Sequence, residues 1–125
     1  MNSPTLIKTY LAGAAVRARS FAVFGASDTT MIEAAAATDF LVGVFEKVDA
    51  AQGDRLDVVH SGQTEIVLGG NVTRGAPLTS DANGAAVVAA PAAGANARVG
   101  GFAMASGVAG DIIPILVQPC LMQGA

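Results

Sequence analysis

The chain has 125 residues, of which 52% are hydrophobic and only 14% are charged. A formal net charge of −3, with the seven lysines and arginines scattered, excludes the clustered basic surface that nucleic-acid binding requires. The length suffices for one domain with one core, and so few charges predict that part of the apolar surface faces another protein.

The first predicted element is the segment 1–13, "MNSPTLIKTYLAG", in which Leu6, Lys8 and Tyr10 alternate. Two interpretations of this segment stay open. It is either an extended N-terminal arm that adds to a sheet edge of another chain, or the first strand of the chain's own barrel. The boundaries that we predict are an N-terminal arm over 1–13 and a single β domain over 14–125.

Short segments rich in β-branched and aromatic residues follow the N-terminal segment, separated by turn formers, and they predict an all-β fold. They are 20–25, 39–46, 54–62, 64–70, 75–89, 97–105 and 111–119. The alanine-rich segment 29–38 is the one helix candidate, and it is too short for more than a single turn.

Turn chemistry predicts how some of these strands connect. Segments 54–62 and 64–70 are predicted to form a hairpin with its turn near Ser61-Gly62. Asp81 to Gly84 offers an Asx-type turn in the middle of another hairpin. Pro114 cannot donate a hydrogen bond to a ladder, so it predicts an edge strand or a bulge.

The sequence also contains an internal repeat. Segment 40–59 aligns with 97–117 at an offset of 57 residues, so that Gly43 meets Gly100. Upstream, 27–36 aligns with 80–90 at an offset of 53 residues. Chance similarity in a chain rich in glycine and alanine is the alternative explanation. Two copies of a strand unit around one core predict a small compact β-barrel or sandwich with an extended N-terminal arm.

His60 is the only histidine, and its neighbours Ser61 and Asp57 suggest a hydrolase triad. In a strand, however, Ser61 and Asp57 point to the face opposite His60. His60 shares its own face with Leu56 and Val58. We therefore interpret it as a packed or rim histidine.

Other candidate chemical groups are equally isolated. Cys120 is the single cysteine, so it cannot form an intrachain disulfide, and it is interpreted as a small buried hydrophobic residue. Asp49, Asp54 and Asp57 are interpreted as solvated turn acids. A metal site would need several converging ligands, and no apolar run approaches the roughly 18–20 residues of a membrane span. We predict no catalytic residue, no cofactor, no metal and no membrane or nucleic-acid partner.

The order of four motifs carries a family resemblance. These are "ATDFLVGV", "GDRLDVVHSGQTEIVLGGNVTRGAPLTSDANGAAV", "APAAGANARVGG" and "GDIIPILVQPCLMQG". Together they resemble the capsid decoration, or cement, proteins of tailed bacteriophages, most clearly from Gly53 to Gly124. The resemblance implies a compact β domain that assembles as a homotrimer on the outer capsid surface and binds several major capsid protein subunits at once. It implies no active-site residues, and it implies a location in the host cytoplasm during assembly.

The expected function is therefore binding to the outer surface of a phage capsid across major capsid protein subunits, which stabilises the expanded shell. The expected contact is the N-terminal segment, because its alternating apolar and polar residues suit pairing with another chain. The capsid-binding residues that we predict are Ser3, Pro4, Thr5, Leu6, Ile7, Lys8, Thr9 and Tyr10. The alternative is a β-barrel that binds a small molecule or carbohydrate, for which the chain offers few aromatic residues, one tyrosine and five phenylalanines.

Overall fold

The computed structural model describes residues 3–46 and 49–124, and these residues form nine β-strands and no helix. The strands are β1 (Ser3–Ala12), β2 (Phe21–Phe24), β3 (Thr30–Glu33), β4 (Gly43–Phe45), β5 (Arg55–Val67), β6 (Pro77–Ser80), β7 (Ala86–Val88), β8 (Asn96–Ala103) and β9 (Ile112–Gln123). The all-β prediction is confirmed. Across the described ranges, no helix is long and apolar enough to cross a membrane.

Five strands close into a barrel. They follow the order β1-β3-β2-β4-β5, and β5 pairs back with β1. The β1–β3 pairing is parallel, with Leu11 opposite Thr30, and the other pairings in the barrel are antiparallel. From β5 the sheet continues through β9, β8, β6 and β7. The first half of β5 therefore belongs to the barrel and the second half to the continuing sheet.

The two halves of the molecule repeat each other. The first unit consists of β1 to β4 and the first half of β5, and the second unit of the second half of β5 and β6 to β9. A parallel bridge joins Leu68 at the end of β5 to Ala86 on β7, as the parallel pairing joins β1 to β3. The backbone N–H of Ala12 donates to the carbonyl of Asp54, and that of Leu68 to the carbonyl of Asp111, both at 2.8 Å. The predicted repeat is thus confirmed as a structural one.

Details of the predicted alignment need correction. Gly43 does not correspond to Gly100 but to Gly101, because a Cβ at either position would meet the carbonyl oxygen of the neighbouring strand, that of Val59 or of Leu116. The upstream offset of 53 residues is also wrong, since β3 corresponds to β7 and Met31 to Ala86. Short loop insertions shift the offset from element to element, which one constant offset cannot follow.

The predicted hairpin at Ser61-Gly62 is wrong, because β5 runs without reversal from Arg55 to Val67. Gly62 has a φ of 93°, and this left-handed residue lies at a bulge, the register shift between Pro4 and Leu6 of the paired β1. On one edge Gly62 pairs with Pro4 of β1 and on the other with Val117 of β9. The glycine thus marks where the strand passes from one unit to the other.

The segment 29–38, the helix candidate expected to form at most a single turn, contains no helix, and β3 occupies its first half. Met31 is fully buried and pairs with Phe24 of β2, so tertiary pairing overrides the helical preference of the alanines. The alanines that follow form a turn, in which the carboxylate of Asp39 accepts a hydrogen bond from the N–H of Ala35 at 2.8 Å.

Pro114 lies neither on an edge strand nor at a bulge, because β9 is hydrogen-bonded between β5 and β8. The carbonyl of Pro114 points toward β8 and accepts from the N–H of Met104 at 3.0 Å. In an antiparallel ladder the N–H and C=O of one residue lie on the same edge of the strand, so the position of the missing N–H of Pro114 also faces β8. The paired part of β8 ends at Ala103, just before this position. The proline therefore removes a hydrogen bond only at the end of the β8–β9 ladder and interrupts none of the pairs within it.

The predicted turn from Asp81 to Gly84 is confirmed. One carboxylate oxygen of Asp81 accepts hydrogen bonds from the N–H groups of Asn83 at 2.8 Å and Ala85 at 3.0 Å. Gly84 adopts a φ of 78°, which favours glycine. The turn connects β6 and β7, which pair in register from Leu78↔Val88 to Ser80↔Ala86.

Two apolar clusters hold the fold together. One fills the barrel and includes Tyr10, Ala12, Met31, Phe45, Leu56 and Val58. The other fills the second unit and the junction between the units, and includes Phe21, Val44, Val59, Ile66, Ile115 and Val117. Neighbours along β5 such as Val58 and Val59 belong to different clusters, because successive side chains of a strand point to opposite faces.

Candidate interaction surfaces

The N-terminal segment forms a strand of the barrel. β1 pairs with β5 from Ser3↔Gln63 to Leu11↔Arg55, and Tyr10 and Ala12 are buried in the barrel core. In the described part of the chain no strand pairs with the second edge of β1 before Leu11, where β3 begins to pair. Most of that edge therefore carries backbone N–H and C=O groups without a strand partner in the described ranges.

The side chains of β1 separate into an exposed and a buried set. Leu6 is 55% exposed and Ile7 43%, and Lys8 and Thr9 are exposed as well. Tyr10 is buried, so it does not share the solvent-facing position of Leu6 that simple alternation predicts. Register shifts on both sides of Leu6 explain the difference, because each bulge changes the face that the following residues occupy.

Of the eight predicted contact residues, the structure thus exposes Leu6 to Thr9 and buries Tyr10. The side chains of Ser3, Pro4 and Thr5 lie outside the described part of the chain, as do residues 1 and 2 entirely. Their role in binding stays a prediction.

His60 is a packed histidine, as predicted. Its Nδ1 lies 2.7 Å from the carbonyl oxygen of Val42, which can only accept, so Nδ1 carries the proton. In the neutral ring Nε2 then accepts from the hydroxyl of Tyr10 at 2.8 Å. The carboxylate of Asp57 instead accepts from the hydroxyl of Thr9 at 2.7 Å. Both ring nitrogens have structural partners, and the arrangement does not form a triad.

The turn acids line an open groove of about 490 Å³ beside β5. Asp49 accepts from the N–H of Ala18 at 2.7 Å, and Asp54 from the N–H of Ala51 at 3.0 Å. These carboxylates stabilise turns, as interpreted from the sequence. The described residues contain no group of three or more histidines, cysteines or acids that could hold a metal ion.

The loop between β1 and β2 joins the two units through charged groups. Arg17 forms an ion pair with Glu33 at 3.0 Å, and this hydrogen bond and charge raise the pKa of the Arg17 guanidinium above its usual value. Arg19 has a φ of 58° and pairs with Glu65 at 3.4 Å, while its carbonyl accepts from the N–H of Val67. The loop is thus tied to both β3 and β5.

Cys120 is exposed, so its interpretation as a buried residue is wrong. It lies opposite Val99 in the last part of β9, where the four residues 118–121 are all exposed. Val117 is the last buried residue of β9, so both faces of this strand are exposed over 118–121, although Val99 and Ala97 on the paired β8 stay buried.

An exposed aromatic cluster was not singled out by the sequence. Phe24 is 49% exposed and Phe40 55%, and their ring centroids are 6.4 Å apart. The guanidinium carbon of Arg98 lies 5.0 Å from the centroid of the Phe40 ring. Each phenylalanine lies one residue from an end of a segment predicted as a strand, 20–25 or 39–46, and such a pattern alone does not distinguish an exposed ring from a buried one.

A second exposed apolar surface covers the outer face of β8 and β9, and it is called the β9 patch here. It consists of Phe102, Met104, Ile112, Pro114 and Leu116. The sequence contained its signal: Ile113, Ile115 and Val117 fill one face of β9, yet the alternate residues are apolar too. A strand that is apolar on both faces is typical of one that is buried on both sides, so the second face of β9 is a candidate interaction surface.

With this geometry in place, the sequence model described as phage cement protein matches residues 2–118. The chain belongs to the phage cement protein family. Cement proteins are structural proteins, and membership makes this chain a structural phage protein associated with the capsid of the virion.

Among solved structures, this cement protein is similar to the N base of head fiber gp8.5 of bacteriophage phi29. The TM-score is 0.65 at 19% sequence identity, and the match covers 90% of this chain and 93% of that chain. At this identity the likeness shows a shared fold. A comparison with curated protein sequences gave no match.

Proposed function

We propose that the protein binds the outer surface of a phage capsid across neighbouring major capsid protein subunits and stabilises the expanded shell. Family membership supports the association with the capsid. The observation that carries the contact is β1, whose exposed residues Leu6 and Ile7 lie beside an edge that has no strand partner among the described residues.

An unpaired strand edge favours one mode of binding. A strand or loop of the capsid protein adds to β1 and takes its free N–H and C=O groups into a ladder. Leu6 and Ile7 supply apolar area, while Lys8 and Thr9 supply hydrogen bonds and one positive charge. The predicted contact residues Ser3 to Tyr10 thus act through the β1 edge and its exposed side chains, and Tyr10 acts by holding β1 on the barrel.

Self-association strengthens such a contact. In a homotrimer three β1 edges reach three capsid positions, and each contact after the first forms at a high effective concentration. A protein that binds the expanded shell and not its disrupted form stabilises the shell by mass action. The gain is about 2.7 kcal/mol per site when the free protein stands at about 100 times Kd.

A barrel that encloses a small molecule is not favoured, because such a function needs an interior cavity. The interior of this barrel is filled by Tyr10, Met31, Phe45 and Val58, all buried.

The stabilising role is tested by heating empty expanded capsids with and without saturating protein. We expect the protein to raise the temperature at which the shells fall apart, as followed by light scattering. An unchanged temperature with protein visibly bound to the shells would contradict stabilisation and leave only attachment.

A further inference from the structure

Because the two units repeat each other, the β4–β5 surface of the first unit can be compared with the β8–β9 surface of the second. Val44 on β4 lies opposite Val59 on β5. In the second unit the corresponding pair is Phe102 on β8 opposite Leu116 on β9. The correspondence follows from the matching close approaches at Gly43 and Gly101, which each precede the first member of the pair.

The two pairs differ in what covers them. Val44 and Val59 are both 0% exposed and belong to the same core cluster as Ile66 and Val117 of the second unit. The first unit therefore hides its outward-facing pair under the second unit. Leu116 is 37% exposed and Phe102 is half-buried, because no other unit among the described residues lies over them.

The residues next to Phe102 and Leu116 on β9 are also apolar, whereas the residues at the equivalent positions of the first unit are charged. Pro114 and Ile112 correspond to Asp57 and Arg55, which lie at the same places on β5. Asp57 and Arg55 are exposed, so this position of the fold does not demand an apolar side chain. The apolar residues of the β9 patch are then explained by something outside the chain that covers them.

We propose that the β9 patch is the self-association interface and that its occupant is a second copy of this chain. The precedent lies within the molecule, where a β unit of this chain already covers the equivalent pair. Copies arranged around a symmetry axis bring their β9 patches together and bury the outward faces of Phe102 and Leu116. This inference rests on the self-association part of the proposed function and assigns it a surface.

Charge at the patch is compatible with contact between like surfaces. The five patch residues are uncharged, and the bordering Glu65, which lies opposite Pro114, forms an ion pair with Arg19. Two copies of the same patch can therefore meet without net repulsion. Capsid binding uses a different strand, β1, so both surfaces can act together.

The test is the mass of the full chain in solution, measured by sedimentation velocity over a range of protein concentrations. The variant carries Ile112→Glu and Leu116→Glu, and Leu121→Glu is the matched control, because Leu121 is 56% exposed on the same strand but outside the patch. Leu116→Gln is a milder second variant. Thermal melting shows that each variant folds.

We expect wild type and Leu121→Glu to form the same oligomer and Ile112→Glu/Leu116→Glu to be a monomer with a similar melting temperature. Leu116→Gln alone should weaken association by at least about tenfold.

A monomeric wild type, or a folded Ile112→Glu/Leu116→Glu variant that keeps the wild-type mass, would overturn the inference. If that variant keeps its mass but loses capsid binding, the patch contacts capsid protein and the inference is again wrong. A monomeric wild type that still binds capsids leaves the proposed function standing.

Discussion

The hydroxyl of Tyr10 on β1 lies 2.8 Å from Nε2 of His60 on β5, so a side-chain hydrogen bond joins the two strands that close the barrel. Fifty residues of chain separate the two partners. His60 also donates to the carbonyl of Val42, which ties the loop before β4 to the same strand. The single histidine is thus a structural link between three parts of the barrel.

For this link we predict a modest loss of stability and no loss of binding. His60→Gln should lower the free energy of unfolding by at most about 1–2 kcal/mol, since glutamine keeps one of the two hydrogen bonds. Tyr10→Phe should cost about 0.5–1.5 kcal/mol. Urea unfolding of the single and double variants measures their coupling, which we expect to be favourable. Loss of capsid binding with unchanged stability would show that His60 has a direct functional role.

Close packing at Gly101 leads to a second prediction. A Cβ at this position would meet the carbonyl oxygen of Leu116 on the neighbouring strand, so Gly101→Ala should cost about 1–3 kcal/mol or more. Gly70→Ala is the matched control, because its Cβ would meet only a methyl group of Val87 at an ordinary 3.6 Å. Its effect should stay within about 0.5 kcal/mol. Equal melting temperatures for the two variants would contradict the close approach of β8 and β9.

The repeated turns provide a test of the two-unit architecture. Asp54 accepts from the N–H of Ala51 at 3.0 Å, and Asp111 from the N–H of Val108 at 2.9 Å. Because the geometries match, Asp54→Ala and Asp111→Ala should each cost about 0.5–1.5 kcal/mol. Asn at either position keeps the accepting oxygen and should cost less. Markedly unequal losses in thermal unfolding would mean that the two turns are not equivalent.

The sequence predicted features that depend on local chemistry. The turn from Asp81 to Gly84 needs a carboxylate and a glycine a few residues apart, and both are visible in the sequence. The match of Gly53-Asp54 with Gly110-Asp111 marked the repeat for the same reason. Both glycines are left-handed, with φ values of 88° and 89°.

Features that depend on distant partners could not be predicted. Gly62 suits a reversing turn as well as a bulge, and only its two neighbours, β1 and β9, decide for the bulge. The sequence of β1 fits either an arm or a barrel strand, since its partner β5 begins more than forty residues later. The exposure of Cys120 depends on where the core ends along β9, which no local pattern indicates.

The capsid contact that we propose lies on β1. Deleting the segment would remove a barrel strand with the buried residues Tyr10 and Ala12, so substitutions at exposed positions are the better probe. The double variant Leu6→Glu/Ile7→Glu changes β1 without touching the core. Val88→Glu is its control, because Val88 is 40% exposed on β7, a strand at the other end of the sheet order.

The most direct measurement is co-sedimentation of each protein with empty expanded capsids, quantified as bound copies against free concentration. We expect wild type and Val88→Glu to bind alike, and Leu6→Glu/Ile7→Glu to bind at least tenfold more weakly, a loss of about 1.4 kcal/mol or more. Its melting temperature should match that of wild type. A folded Leu6→Glu/Ile7→Glu variant that sediments with capsids as well as wild type would contradict the claim, and failure of the wild type to sediment with them would contradict capsid binding itself.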